Sequence, residues 1–201
     1  MHLATAFLSF FVFFTAVLGF ASGDVVTDSG ALTSLDVFWV ESTNNWAGVY
    51  GQVSGVRAVG SQNPIFEWDS SEVNHIYFSE EAINFTSNWK PGNKSLLLNE
   101  YSFLGNKSDG VNTFNSSINI DTVYQENTIE NVPAAMTSNS SGQPYWGTGY
   151  LHDGSNGFFA GEVDEGEAFD GQQANYQVLL PENGTDQSAT SFQIWIELSE
   201  G

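Results

Sequence analysis

From residue 24 onward, short apolar runs alternate with turn-forming residues, and this pattern constrains the fold more than any other feature of the chain. The runs are rich in Val, Ile, Phe, Tyr and Trp, and they are separated by Gly, Asn, Asp and Ser. β-branched and aromatic side chains favour strands, whereas the separating residues favour tight turns. The pattern therefore predicts about ten short strands and no amphipathic helix.

The predicted strands follow one another closely, at residues 35–40, 49–59, 65–68, 74–78, 96–103, 112–120, 145–151, 157–163, 176–180 and 191–198. In the last one, the even-numbered residues from Phe192 to Leu198 are predicted to point to one side of the strand, and the odd-numbered ones from Gln193 to Ser199 to the other side. With 41% hydrophobic residues, such a chain can build a real core. We predict a mainly β fold, with an antiparallel β-sandwich of immunoglobulin-like or jelly-roll-like type over residues 24–201.

The N-terminal segment from Leu3 to Phe20 contains no charged residue. As a helix, its 18 residues would be about 27 Å long, which is close to the hydrocarbon thickness of a bilayer. We predict a hydrophobic α-helix over residues 1–23, followed by a polar joint from Asp24 to Ser34. The helix is either retained, as an anchor or an assembly element, or cleaved as a secretory signal after its small residues 21–23. Both interpretations place the rest of the chain outside the cell or on its surface.

A chain that begins with such a helix and continues into a β-rich domain resembles archaeal type IV pilins and archaellins. Residues 1–23 carry this resemblance, and Thr5 stands where bacterial type IV pilins have a glutamate. The resemblance implies a filament in which the helices pack as the core, so the partners are copies of the chain in a helical polymer. It also implies membrane contact before assembly. Large side chains would fill the gaps between helices at Leu3, Phe7, Phe10, Phe11, Phe14 and Leu18.

A second resemblance covers the β region. Residues 46–68 read WAGVYGQVSGVRAVGSQNPIFEW and are similar to a stretch of uncharacterised archaeal cell-surface proteins, in which Trp-Ala-Gly, Tyr-Gly and Val-Ser-Gly recur in that order. The Pro-Glu-Asn-Gly-Thr turn at residues 181–185 fits the same resemblance. This similarity implies a location at the cell surface and brings no known chemistry.

The charge balance limits the possible partners. The chain has 24 acidic and four basic residues, which gives a formal net charge of −20. Nucleic acids and anionic lipid headgroups bind to basic surfaces, so we expect no nucleic-acid partner. The carboxylates would either keep the surface soluble in salt or recruit divalent cations. The absence of cysteine removes thiol nucleophiles and cysteine-ligated metals.

Six N-x-S/T sequons predict N-linked glycans, and they number about twice what composition alone would produce. All six lie in turn-like or strand-edge polar stretches, where a glycan could reach solvent. The alternative is that they are ordinary Asn/Ser turns. The candidate asparagines are Asn84, Asn93, Asn106, Asn115, Asn139 and Asn183.

The acidic run 162–170 is the one candidate metal site, with possible oxygen ligands at Glu162, Asp164, Glu167 and Asp170. Its spacing does not match the calcium-loop motif D-x-[DN]-x-[DN]-G, so we interpret it as a solvated acidic hairpin and predict no metal or cofactor. A G-x-S-x-G elbow with its acid and base, an H-E-x-x-H motif and a phosphate loop are also absent from the sequence. We therefore predict that the chain is not an enzyme.

The aromatic residues leave a binding function open, because exposed rings can form a sugar-binding platform. Four tryptophans in strand patterns are predicted to be core residues: Trp39, Trp46, Trp68 and Trp195. Trp89 and Trp146 are predicted to be exposed or to contact another subunit. The function predicted is a structural subunit of an extracellular filament, with acidic and glycosylated β heads outside. The alternative is a secreted or membrane-anchored cell-coat or adhesin domain with a carbohydrate-binding surface.

Overall fold

The computed structural model describes residues 33–37, 45–53, 56–59, 65–68, 73–84, 89–106, 110–122, 127–183 and 190–198. The predicted N-terminal helix, with its six assembly positions, lies outside the described residues. None of the helices in these ranges has both the length and the apolar character needed to cross a membrane. The described chain is mainly β with antiparallel sheets, as the sequence predicts.

The strands are β1 (Thr33–Val37), β2 (Trp46–Gly51), β3 (Val56–Val59), β4 (Ile65–Trp68), β5 (Val73–Ser79), β6 (Lys90–Pro91), β7 (Ser116–Thr122), β8 (Asn127–Ser138), β9 (Pro144–His152), β10 (Gly157–Glu162), β11 (Gly166–Glu167), β12 (Gln173–Ala174), β13 (Tyr176–Pro181) and β14 (Thr190–Leu198). The largest sheet has the order β1-β14-β5-β10-β9-β8-β7, and β6 adds to β9. The strands from β7 to β10 form an antiparallel meander. The last strand, β14, lies between β1 and β5.

A second, smaller layer covers one face of this sheet. It is the antiparallel pair β13–β2, and β13 contacts β9 and β10. Phe78, Phe159 and Phe192 of the large sheet form the first core cluster with Val178 and Leu180 of β13. The remaining two-stranded sheets are β3–β4 and β11–β12.

The opposite face of the large sheet is buried as well. Tyr77, Phe158 and Trp195 form a second core cluster there, together with Trp89 and Ile120. The sheet curls over this cluster, because β7 contacts β5 although three strands lie between them in the sheet order. Strands buried on both faces contain continuous apolar runs instead of a strict alternation.

The alternation predicted for β14, and the core position predicted for Trp195, are therefore confirmed. Phe192 lies in the first core cluster, whereas Trp195 lies in the second, and both side chains are buried. The alternation in the sequence is real, but a central strand has neighbours on both faces. Whether a strand is buried on one face or on both depends on its direction and position in the sheet, and the local sequence pattern shows neither.

The predicted strand at residues 96–103 is wrong, and with it the expectation that the chain has no amphipathic helix. This segment forms helix α1 (Lys94–Glu100) and a 3-10 helix (Ser102–Asn106). Leu97, Tyr101 and Leu104 are buried at the spacing of one helix face. Asn93 caps α1, since its Oδ1 accepts a hydrogen bond of 2.9 Å from the backbone N–H of Leu96. Three consecutive leucines at 96–98 conceal the helical period in the sequence.

The longest described strand, β8, was not among the predicted ones, because Pro133 interrupts its pattern. Pro133 pairs with Ser117 of β7, but the pairing of β8 with β9 begins only at Ala134. The backbone of Pro133 therefore pairs with a neighbouring strand on the side of β7 and not on the side of β9. A register shift between Ile118 and Ile120 and a positive φ of 58° at Asn131 mark an irregularity that helps the sheet bend.

The other strand predictions agree more closely with the structure, although the observed boundaries differ from the predicted ones by one or two residues. Six of the ten are confirmed, as β4, β5, β9, β10, β13 and β14. The predicted strand 49–59 divides into β2 and β3, which belong to different sheets, and the strand predicted at 112–120 begins only at Ser116. The polar joint ends earlier than predicted, since Thr33 and Ser34 already pair with β14.

The close packing of β13 on β10 depends on Gly161. A Cβ atom at this position would overlap Cγ1 of Val178, whereas a Cβ at Gly48 of β2 would meet no atom within 4 Å. We expect Gly161→Ala to lower the free energy of unfolding by about 1–3 kcal/mol through overpacking. Gly48→Ala, the matched control, should leave stability unchanged or raise it by about 0.4–1 kcal/mol. Thermal unfolding followed by circular dichroism measures both, and equal losses would contradict this packing.

Candidate functional site

A groove opens at one end of the large sheet. It has a volume of about 490 Å³, and we call it the acidic groove. Its lining includes His75 and four carboxylates, Asp121, Glu162, Asp164 and Glu165. No Lys or Arg is among the described residues that line it.

The strand register explains how these residues come together. His75 of β5 is directly opposite Glu162 of β10 on one side and Glu197 of β14 on the other. Opposed residues in a sheet share a face, so the three side chains form one row across three strands. The next row on the same face is Ala160, Tyr77 and Trp195, which belongs to the second core cluster.

The inner part of this polar row is buried. His75 is 7% exposed and Glu197 only 1%, whereas Glu162 at the outer end is exposed. The hydroxyl of Tyr77 donates a hydrogen bond of 2.7 Å to Oε2 of Glu197, and Nδ1 of His75 lies 3.7 Å from the same oxygen. Nδ1 itself is buried and makes no hydrogen bond.

Burial raises the pKa of Tyr77 well above its ordinary value of 10, and the negative charge of Glu197 raises it further. The phenol therefore keeps its proton and remains a donor to Glu197. A buried carboxylate needs such donors, because its desolvation is otherwise costly. The imidazole of His75 stacks near Tyr77, with 6.1 Å between ring centroids and 24° between ring planes.

The outer carboxylates of the groove are held in place by neighbouring hydroxyls. Oδ2 of Asp164 accepts a hydrogen bond of 3.0 Å from Tyr145, and Oδ1 of Asp121 accepts one of 2.6 Å from Thr128. The backbone also fixes this wall, since the N–H of Asp164 donates to the carbonyl of Asn175 at 2.8 Å. The groove is thus a preformed arrangement of negative charge.

The lining limits what the groove can do chemically. Among the described residues that line it there is no Ser, Thr, Cys or Lys, so its polar groups are carboxylates, amides and one imidazole. The carboxylates and the imidazole can instead accept hydrogen bonds from a cationic group. Sequence reasoning singled out Glu162 and Asp164 but missed His75, Asp121 and Glu197 as parts of the same site.

The acidic run 162–170 is divided between two places. Glu162 and Asp164 line the acidic groove, whereas Glu167 and Asp170 belong to the β11–β12 hairpin that follows. Glu167 accepts a hydrogen bond from Ser140, and Asp170 accepts one of 2.7 Å from Tyr50, which lowers the pKa of Asp170. Within the described part of the chain, no three His, Cys, Asp or Glu side chains are placed to hold a metal ion.

Asp153 has a structural role. Its Oδ1 accepts hydrogen bonds from the backbone N–H groups of Ser155 and Asn156, at 2.8 and 2.9 Å. Its Oδ2 accepts one from the backbone of Asn84, at 3.1 Å. The first two contacts close the turn between β9 and β10, and the third joins this turn to the segment that follows β5.

The predicted exposure of Trp89 and Trp146 is wrong, since both side chains are buried. The β11–β12 hairpin folds over Trp146, and the indole Nε1 donates a hydrogen bond of 3.0 Å to the carbonyl of Glu167. Gly and Pro residues beside a tryptophan indicate a turn, but they do not show which other element covers the tryptophan side chain. Among the residues whose side chains the structure describes, the exposed rings are instead Tyr145, at 42%, and Phe169, at 56%.

The sequons differ in accessibility. Asn84, Asn93 and Asn115 have exposed side chains, whereas Asn139 and Asn183 are half-buried. Oδ1 of Asn139 also accepts hydrogen bonds from two backbone N–H groups of its own turn. The side chain of Asn106 lies outside the described residues.

Comparison of the chain with protein-family models, with curated proteins and with solved structures finds no match. The features of the chain that bear on its function are the hydrophobic N-terminal segment, the sequons and the acidic groove.

Alkaline unfolding tests the buried Tyr77–Glu197 contact. The folded chain keeps the Tyr77 proton at a pH where the unfolded chain releases it, so stability present below pH 10 is lost as the pH rises further. Above pH 10, the proton on Tyr77 lowers the free energy of unfolding by about 1.4 kcal/mol for each further pH unit. Tyr77→Phe should reduce the slope by that amount and lower stability at neutral pH by about 1–3 kcal/mol, because Glu197 loses a donor.

The exposed Tyr145 provides the control for this measurement. Tyr145→Phe should change stability at neutral pH by less than about 0.5 kcal/mol. Thermal unfolding across the alkaline range compares the variants. An unchanged slope in Tyr77→Phe would show that the phenol titrates equally in both states.

Glycan occupancy should follow side-chain exposure. In protein purified from its native cells, we expect glycans at Asn84, Asn93 or Asn115, whose side chains are exposed, and lower occupancy at the half-buried Asn139. Glycopeptide mass spectrometry measures each site separately. A glycan carried mainly on Asn139 would contradict exposure as the deciding factor.

Proposed function

We propose that the chain is a structural subunit of an extracellular filament. In this proposal, a β-sandwich head of immunoglobulin-like or jelly-roll-like type follows a hydrophobic helix at residues 1–23. The helices of many copies pack as the filament core, and the acidic heads form the outer surface. The observation that carries the proposal is the uncharged segment from Leu3 to Phe20 in a chain of net charge −20.

The physical argument concerns where such a helix can be placed. A helix that is apolar all round is not stable in water, so it must be buried in lipid or among other helices. Small residues at Ala4, Ala6, Ala16 and Gly19 allow helices to approach closely, and the phenylalanines between them fill the remaining space. Contacts that relate one copy to the next without closing a ring extend as a helical polymer.

The described head supports this proposal in two ways. Its described residues form two core clusters of their own, which fits a head that is built around its own core. Its surface carries few cations to pair with the carboxylates of a neighbour, which disfavours assembly through the heads and leaves the helix as the cohesive element.

The alternative is a cell-coat or adhesin domain that binds carbohydrate. One observation favours it: Tyr145 and Phe169 expose their rings, and exposed rings can stack on sugars. This alternative fits a secreted head without its N-terminal segment. N-terminal sequencing of the native protein separates the two, because a start near Asp24 contradicts the filament and a start at Met1 favours it.

Deletion of residues 1–23 tests assembly. Electron microscopy of native surface material should show filaments whose core fits about twenty helical residues per subunit. The deletion should abolish filaments and leave the unfolding temperature of the head unchanged. In the full chain, Phe11→Asp should also abolish filaments and leave the unfolding temperature of the head unchanged. The control Val25→Asp, which lies outside the helix, should leave the filaments intact. Isolated heads on membranes, without helix-to-helix contact, would contradict the proposal.

A further inference from the structure

We propose that the outer edge of β2 pairs with the same edge of a second copy of the chain, antiparallel and around a two-fold axis at Gly48. This contact joins two β13–β2 pairs into one four-stranded sheet. It does not depend on the filament proposal, although in a filament it would link neighbouring heads.

The first argument is the direction of the backbone hydrogen bonds of β2. Just before the strand, the carbonyl of Asn45 accepts a bond of 2.9 Å from the N–H of Glu182, and at its end the carbonyl of Gly51 accepts one of 2.8 Å from Asn175. The odd-numbered residues thus direct their backbone groups towards β13, and the alternation of an antiparallel pair directs those of the even-numbered residues to the outer edge. Within the described part of the chain, β13 is the only strand that pairs with β2.

The second argument is that this edge lacks the features that usually protect a strand edge. Exposed edges pair readily with other chains, and proteins prevent this with charged residues, prolines or bulges. Among the described edge strands longer than two residues, β2 alone contains no charged residue and no proline. The other edge strands contain Asp36, Arg57, Glu67, Asp121 or Pro181.

The small layer can therefore extend only at β2. On the opposite edge of the layer, the N–H of Leu179 already donates a hydrogen bond of 2.8 Å to Oγ1 of Thr148, and Pro181 has no N–H to offer. Sheets of two strands are marginally stable compared with sheets of three or more. At the free edge of β2, Trp46 and Val49 are only half-buried against the first core cluster, so an added strand would cover them further.

The spacing of the outward-facing residues fits a second copy of the same strand. These residues are Trp46, Gly48 and Tyr50, and they are symmetric about Gly48. When Gly48 of one copy lies opposite Gly48 of the other, Trp46 lies opposite Tyr50, and the three bonded pairs supply about six hydrogen bonds. Gly48 is exposed, and a Cβ atom there would meet nothing within 4 Å, so a second backbone can approach. A two-fold contact of this kind closes as a dimer.

Cysteine cross-linking tests the proposal, because the chain itself contains no cysteine. The full chain is studied in a nonionic detergent at about 1 M salt, which screens the repulsion between acidic heads. Opposed residues of a bonded pair have Cα atoms about 5.5 Å apart, a distance that a disulfide spans. Under mild oxidation, we expect Gly48→Cys to give at least about tenfold more disulfide-linked dimer than Ser155→Cys. Ser155 is the matched control, since it is exposed in the turn between β9 and β10.

A lysine at the axis tests the same contact without a cross-link. In sedimentation equilibrium, Gly48→Lys should raise the dissociation constant of the dimer about tenfold or more, because two like charges meet at the axis. Ser155→Lys, which changes the charge equally, should not raise it. The dimer of the unmodified chain should also weaken as the salt concentration falls, because each copy carries a net charge of −20.

Three outcomes would overturn the proposal. They are a monomer at every salt concentration, equal cross-linking of the two cysteine variants, and an equal effect of the two lysine variants. The last two would indicate association through the N-terminal segment alone. Thermal unfolding of each variant, followed by circular dichroism, ensures that every comparison is made on folded protein.

Discussion

Burial of both faces of β5, β10 and β14 is the constraint on which the rest of the structure depends. Neighbouring residues in these strands, such as Tyr77 and Phe78 or Phe158 and Phe159, enter different core clusters. One face is covered by the β13–β2 pair and α1, and the other is enclosed by the curl of the sheet itself. With two apolar faces, a slip of one residue in register would exchange two sets of side chains that fit different spaces.

The two core clusters use different means of packing. In the first, Gly161 allows the backbone of β10 to approach Val178, so the second layer can lie close to the sheet. In the second, large rings fill the curl, and Trp89 packs against Phe158 with 4.9 Å between centroids and 68° between planes. Edge-on contacts of this kind favour specific ring orientations in addition to burying area. The chain thus needs no disulfide to define its core.

The acidic groove is a consequence of the same arrangement. The row Glu162, His75 and Glu197 directly follows the apolar row Ala160, Tyr77 and Trp195 on one face. The sheet therefore changes from apolar to polar between two neighbouring rows, and the buried Glu197 requires the hydroxyl of Tyr77 as a donor. A polar row at this position stabilises the fold less than a well-packed apolar row of similar volume would.

The sequence by itself determined the class of the fold and the position of most strands, because β-branched and aromatic runs between turn residues act locally. It also determined the excess of carboxylates and the uncharged N-terminal segment, which are properties of composition. Only the tertiary structure decided that residues 94–100 are helical, that Trp89 is buried and that Trp146 is covered by a hairpin. It also brought His75, Glu162 and Glu197 into one row, although they lie far apart in the chain. Strand order and register arise from packing between distant segments, and a local pattern contains no information about which strand will lie beside it.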